Sequence, residues 1–211
     1  MVQASEREEG LLGEQLGCLT DARRALRIRG MGAAYANRGV THGATEIDFD
    51  GPEVFKRAVQ GMAQASAAVL AKCGYTPADV DLVVPHQANL RIIEAVAQRC
   101  GVPMEKVMLT VQRYGNMSAA TVPVALSDAV DEGRVKPGAL VLMPAFGAGL
   151  TVCSHLVRWG ERTTPLKKSL AALPSCTRSA LEMVNDIRVQ KLAARESSHP
   201  GMSLPTIAGV N

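Results

Sequence analysis

Aromatic side chains are scarce: Phe, Trp and Tyr make up 3% of the 211 residues. Any core must therefore be aliphatic, and a 47% hydrophobic fraction rich in Ala, Val, Leu and Met can supply one. The length fits one domain, or one domain with appendages. Charge of one sign is also lacking, with a formal net charge of +3. No basic stripe with interleaved aromatics occurs, which argues against a nucleic-acid module. The densest basic cluster, Arg23, Arg24, Arg27 and Arg29, reads as a solvated face before a phosphate site. Paired cysteines are missing too. Cys18, Cys73, Cys100, Cys153 and Cys176 are scattered, odd in number and without CxxC spacing. That excludes a disulfide framework or zinc site and fits reduced, buried thiols in a cytoplasmic protein. No apolar run reaches membrane-spanning length, and residues 1–10 are too acidic and polar for a signal peptide.

What is present falls into three zones. Residues 1–50 read as irregular, interrupted by glycines at 10, 13, 17, 30, 32, 39 and 43, with a strand over 25–28 and a loop over 37–45. Residues 51–160 read as an ordered core. The stripe Phe55, Val59, Met62, Ser66 and Val69 predicts a helix over 53–72, stopped at Gly74. A strand follows over 80–84. Asn89 is an N-cap for a helix whose apolar face holds Leu90, Ile93, Val96 and Ala97, ended by Gly101. A strand is predicted over 106–111. Ser118 is placed as the cap of the next helix, with Pro123 in its first turn and Gly133 as its stop. Strands over 140–143 and 150–159 are joined through Phe146, Gly147, Ala148 and Gly149. This alternation predicts an α/β layered fold with a mixed sheet flanked by helices. Residues 161–211 form a tail, with one helix over 179–195 and disorder from 197.

Two strings carry chemistry. Pro85-His86-Gln87-Ala88-Asn89 closes a short apolar run, and Gly115-Asn116-Met117-Ser118-Ala119-Ala120 follows further along the chain. An imidazole and a carboxamide, each after a predicted strand, can converge on one developing oxyanion. The bland alternatives are a satisfied structural histidine and a turn asparagine. His42, His155 and His199 read as ordinary. Cys153 lies in the last strand without a helix N-terminus after it, and Cys73 and Cys100 sit at helix C-termini, where the dipole disfavours a thiolate.

These strings resemble the histidine and asparagine signatures of β-ketoacyl-acyl-carrier-protein synthase III. Asp50-Gly51-Pro52-Glu53-Val54-Phe55-Lys56 resembles the start of that family's carboxy-terminal half, and Ala145-Phe146-Gly147-Ala148-Gly149-Leu150-Thr151 resembles its glycine hairpin. Weaker similarity reaches back to Ala4-Ser5-Glu6. The resemblance implies half of a thiolase-like layered fold, with residues 1–50 as a remnant of the inter-half region, 51–160 as the carboxy-terminal domain, and 161–211 as a tail foreign to the family. It implies acyl transfer: condensation of an acyl group with malonyl-acyl-carrier protein in fatty acid or related biosynthesis.

The resemblance also distributes roles. His86, with a proton on the nitrogen facing the substrate, and Asn116 would stabilise the enolate formed by decarboxylation. Phe146, Gly147 and Gly149 would line the bottom of the site, although an ordinary hairpin turn is the alternative. Ala88 and Asn89 would contact pantetheine, and Gly51 and Phe55 its entrance. Arg91 would meet the acidic carrier protein or stand solvated. No cofactor or metal is implied; coenzyme A and acyl-carrier-protein thioesters are substrates. The nucleophilic cysteine would come from the family's other half, before Met1 or on a separate subunit, so this chain alone is expected to be inactive. The alternatives are a non-catalytic remnant, a module binding carrier protein or coenzyme A, or a truncated product.

Overall fold

The computed structural model describes residues 9–28, 47–164, 171 and 175–198, with side chains up to 193. It has two compact units, residues 1–166 and 167–211.

The first unit is built on a four-stranded sheet. Strand β1 (Gly10–Cys18) forms one edge, antiparallel to β6 (Thr151–Arg158). Next to β6 lies β5 (Leu140–Gly147), also antiparallel, and then β4 (Leu82–Val83), parallel to β5. A separate ribbon pairs β2 (Leu26–Ile28) with β3 (Ile47–Phe49), held by an Arg27–Asp48 ion pair of 2.7 Å. Helix α1 (Gly51–Lys72) starts where Asp50 accepts a hydrogen bond from the Glu53 N–H and Pro52 occupies the first turn. Helix α2 (Leu90–Cys100) is capped by Asn89, whose side chain accepts from the Ile92 N–H at 2.9 Å.

Alternation along the strands sorts the core into two faces. Val83, Leu140 and Leu142 pack with Val69 and Leu70 of α1 and with Ile93 and Ala97 of α2. Leu82, Val84 and Val141 point the other way, onto Ala125 and Ala129 of α4 (Thr121–Asp131). The sheet is therefore a middle layer between helices. The stripe read from the sequence is the buried face of α1: Val59, Met62, Ser66 and Val69 are buried, and Phe55 is half-buried.

Three expectations are corrected. The zone taken as irregular contributes β1, the edge of the sheet. Its glycines act by close approach: a Cβ at Gly13 would fall 2.5 Å from Cys73 Sγ, and one at Gly17 would fall 3.2 Å from Val152. Residues 106–111 are no strand. Met104–Lys106 is a 3-10 turn, Val107 makes a single parallel bridge to Val83, and a short helix α3 (Val111–Tyr114) begins within the predicted run. Ser118 does not cap a helix: it opens a 3-10 turn (Ser118–Ala120) that leads into α4, with φ at +57°. Of the strands flanking the glycine hairpin, β5 runs on to Gly147, past the expected end at 143, whereas β6, at Thr151–Arg158, stays within the expected 150–159. The strand over 25–28 is present as β2, whereas the loop over 37–45 lies outside the described residues.

The second unit contributes helix α5 (Ala180–Ser198). Ser179 and Glu182 cap it reciprocally, and Arg178 pairs with Asp186. Among the described residues, no helix is long and apolar enough to cross a membrane. The disorder expected from 197 falls on residues 199–211, outside the described residues, while 197 and 198 belong to α5.

Candidate functional site

His86 is placed by an extension of the parallel ladder. The N–H groups of Val84 and His86 donate to Leu142 and Pro144 carbonyls, each at 2.9 Å. The chain then turns, Ala88 N–H donating to His86 C=O, and enters α2 at the Asn89 cap. His86 is only 8% exposed. The Phe146 ring meets its imidazole edge-on, with centroids 5.2 Å apart. Its Nδ1 lies 2.5 Å from the Thr121 hydroxyl. Burial lowers the imidazole pKa below its ordinary value of 6.5, so the ring is neutral at physiological pH.

Asn116 follows α3 and Gly115, whose φ of +66° lets the chain turn back toward α4. Its side-chain oxygen accepts from the Ser118 N–H at 2.9 Å. That bond fixes the amide and leaves its NH2 without a partner among the described residues, available as a donor. Asn116 itself is exposed.

Gln87 ties the two segments together. Its Nε2 donates to Pro85 and Met108 carbonyls at 2.8 and 3.1 Å, and its Oε1 accepts from Thr110 and Val111 N–H at 2.8 and 3.1 Å. The His86 turn and the approach to Asn116 are thus stitched by one buried amide.

His86 and Asn116 both line a cavity of about 830 Å³, largely apolar in its walls. Ala88, Asn89, Phe146 and Gly147 line it as well. Gly51, Phe55, Arg91 and Gly149 are not on its walls. Arg91 instead stacks its guanidinium over the Phe55 ring, 5.9 Å from the centroid. Gly51 adjoins Phe49, a wall residue: a Cβ there would sit 3.3 Å from that ring.

Sequence reading missed several contributors. Thr121 and Phe49 line the cavity, and Gln87 braces it. Cys153 lines it too, yet burial pushes its thiol pKa up, away from the thiolate that a nucleophile needs. Burial also raises the Cys100 thiol. Among the described residues, no group of His, Cys, Asp and Glu could hold a metal ion. The site can therefore donate hydrogen bonds from a neutral imidazole and a fixed carboxamide into an apolar cleft.

Residues 70–159 match the family described as 3-oxoacyl-[acyl-carrier-protein (ACP)] synthase III C terminal. A beta-ketoacyl-[acyl-carrier-protein] synthase III 2 of Vibrio cholerae serotype O1 is 43% identical over 185 residues, 88% of this chain and 51% of the relative. A beta-ketoacyl-[acyl-carrier-protein] synthase III of Granulibacter bethesdensis is 51% identical over 123 residues, 58% of this chain and 38% of the relative. Among solved structures, a synthase III of Thermus thermophilus superposes with a TM-score of 0.68 at 40% identity, covering 76% of this chain and 50% of that one. The chain spans about half the length, or less, of the curated relatives it matches.

Proposed function

We propose, for a chain that belongs to the 3-oxoacyl-[acyl-carrier-protein] synthase III family through its carboxy-terminal half, that it supplies the decarboxylating side of a condensing enzyme. Its mixed sheet between helices is half of a thiolase-like fold. The reaction joins an acyl group to malonyl-acyl-carrier protein in fatty acid or related biosynthesis. The observation that carries this reading is the shared cavity, with a neutral imidazole and an oriented carboxamide on its walls.

The chemistry follows from those two donors. The malonyl carboxylate leaves as carbon dioxide, and the electron pair of the broken C–C bond becomes an enolate. Its negative charge rests on the thioester oxygen. His86 and Asn116 donate to that oxygen, and fixed donors in a water-poor cleft stabilise such charge strongly, by about 3 kcal/mol each. The enolate carbon then attacks an acyl thioester carried on a cysteine, forming the new C–C bond and expelling the thiolate. That cysteine would come from the family's other half, on a longer chain or a separate subunit. No cofactor takes part; both thioesters are substrates. Ala88 and Asn89 would border pantetheine in the cavity. The Arg91–Phe55 pair, with Gly51 nearby at the start of α1, would form an outer surface for carrier protein rather than the inner wall.

A second reading is a module that binds carrier protein or coenzyme A without catalysis. One observation favours it: the cavity's own thiol, Cys153, is not activated.

Intact-mass spectrometry after incubation with an acyl-coenzyme A separates these roles. The chain alone is expected to form no acyl adduct, because it has no activated thiol to accept one. With the cysteine-bearing amino-terminal half of a relative supplied, the adduct should appear on that half, and adding malonyl-acyl-carrier protein should give the condensed product. A stable thioester on any of this chain's cysteines would overturn the assignment. A loaded partner half that never condenses would favour the binding module.

A further inference from the structure

Thr121 is the first residue of α4 and fully buried. Its hydroxyl stands between two acceptors, His86 Nδ1 at 2.5 Å and the Ser118 carbonyl at 3.0 Å. One hydroxyl proton can serve only one of them, and the choice decides which ring nitrogen of His86 carries hydrogen. If Thr121 donates to Ser118, Nδ1 must donate to Thr121, and Nε2 is bare. If Thr121 donates to Nδ1, the ring proton sits on Nε2.

Three observations point the same way. Hydroxyl donors make shorter bonds than ring N–H donors, and the contact to Nδ1 is the short one. The contact to Ser118 is long for a hydroxyl donor. The Ser118 carbonyl already accepts the Thr121 backbone N–H, so it is satisfied without the hydroxyl. No other described residue hydrogen-bonds the imidazole, and His86 lines the cavity.

We infer that Thr121 is a positioning residue that holds His86 as the neutral tautomer with its proton on Nε2, the ring nitrogen left to serve the cavity. Thr121 does not touch substrate in this role. It makes the imidazole a donor rather than an acceptor toward whatever oxygen enters. A bare Nε2 would repel an enolate oxygen, so the tautomer decides whether His86 helps or opposes decarboxylation. The tautomer stands on the geometry alone; its catalytic use rests on the decarboxylation reading above. Burial of the ring supports the assignment by disfavouring the doubly protonated form.

Nitrogen NMR of the full chain, with histidines labelled in their rings and the His86 signals assigned by their loss in His86→Asn, reads the tautomer directly. Under neutral to mildly alkaline conditions, the unsubstituted chain should show a protonated Nε2 and an unprotonated Nδ1 shifted by an accepted hydrogen bond. Thr121→Ser should keep that pattern. Thr121→Val, which removes the hydroxyl at nearly constant shape, should move Nδ1 toward its unbonded position and mix the tautomers. A protonated Nδ1 in the unsubstituted chain would overturn the inference, whether or not the valine variant folds. So would a folded valine variant with unchanged Nδ1. In an enzyme assembled with a cysteine-bearing half, Thr121→Val should lower malonyl decarboxylation on the order of tenfold, less than loss of a donor itself. Acyl loading should be spared and the serine variant near normal. If the spectra behave as expected while His86→Ala and Thr121→Val both leave decarboxylation unchanged, the tautomer holds and the decarboxylation reading fails.

Discussion

Gln87 uses all four of its side-chain hydrogen-bonding positions, on partners from Pro85 to Val111, and is fully buried. Replacing it with methionine keeps the volume but strands two carbonyls and two N–H groups. Each buried group left unpaired costs about 1–3 kcal/mol, so Gln87→Met should lose at least about 3 kcal/mol in urea unfolding. A loss below about 1 kcal/mol would mean that water or a relaxed backbone replaces the amide. Residues of this kind mark the limit of what the sequence displays. His86, Asn116 and Asn89 sit in strings whose chemical character is local, and each was legible. The roles of Gln87 and Thr121 depend on partners up to 24 and 35 residues away, and nothing in their neighbours announces them. Gly51, Phe55, Arg91 and Gly149 took their expected roles from the family resemblance, yet they lie off the cavity wall.

Helix α1 was legible from its apolar period and the glycine beyond its end, while its start, two residues earlier than expected, is set by the Asp50 cap. The reason it lies so close to the sheet was not legible. Gly61 faces β6, and a Cβ there would sit 2.6 Å from Val152 Cγ1 and 3.5 Å from its Cβ. Gly61→Ala gains about 1 kcal/mol of helix propensity. The overlap falls on a stiff β-branched side chain and should cost about 1–3 kcal/mol. The net expectation is destabilisation, measured by denaturant unfolding, with Val152→Ala restoring part of it in the double variant. A Gly61→Ala variant more stable than the parent would show that helix and sheet can separate without loss. The same physics hid β1: glycines that permit close approach look like breaks when read one strand at a time. The segment over 106–111 erred in the opposite direction. Its apolar alternation resembles a strand, but the Gln87 amide takes the N–H groups of Thr110 and Val111.

For the molecule as a whole, the layered fold was legible from the order of its elements, while its exposed surfaces were not. In the first unit, Leu11 and Leu16 of β1 and Ile28, Ile47 and Phe49 of the β2–β3 ribbon are each 42–64% exposed. Helix α4 packs onto this chain's own sheet through Ala125 and Ala129. An edge strand and a ribbon carrying large apolar side chains should associate. Sedimentation of the chain is expected to depend on concentration, and a monomer at every concentration would show that other residues cover those side chains. The central claim, that His86 and Asn116 act together on the malonyl enolate, is tested most directly by one measurement. In an assembly with a cysteine-bearing half, malonyl decarboxylation and acyl loading are followed separately for His86→Ala, Asn116→Ala and the double variant. Each single change should lower decarboxylation on the order of 10²–10³-fold. The double variant should fall short of the product of the two, since both donors serve one charge, and loading should survive throughout. Loss of loading with decarboxylation spared would contradict the account.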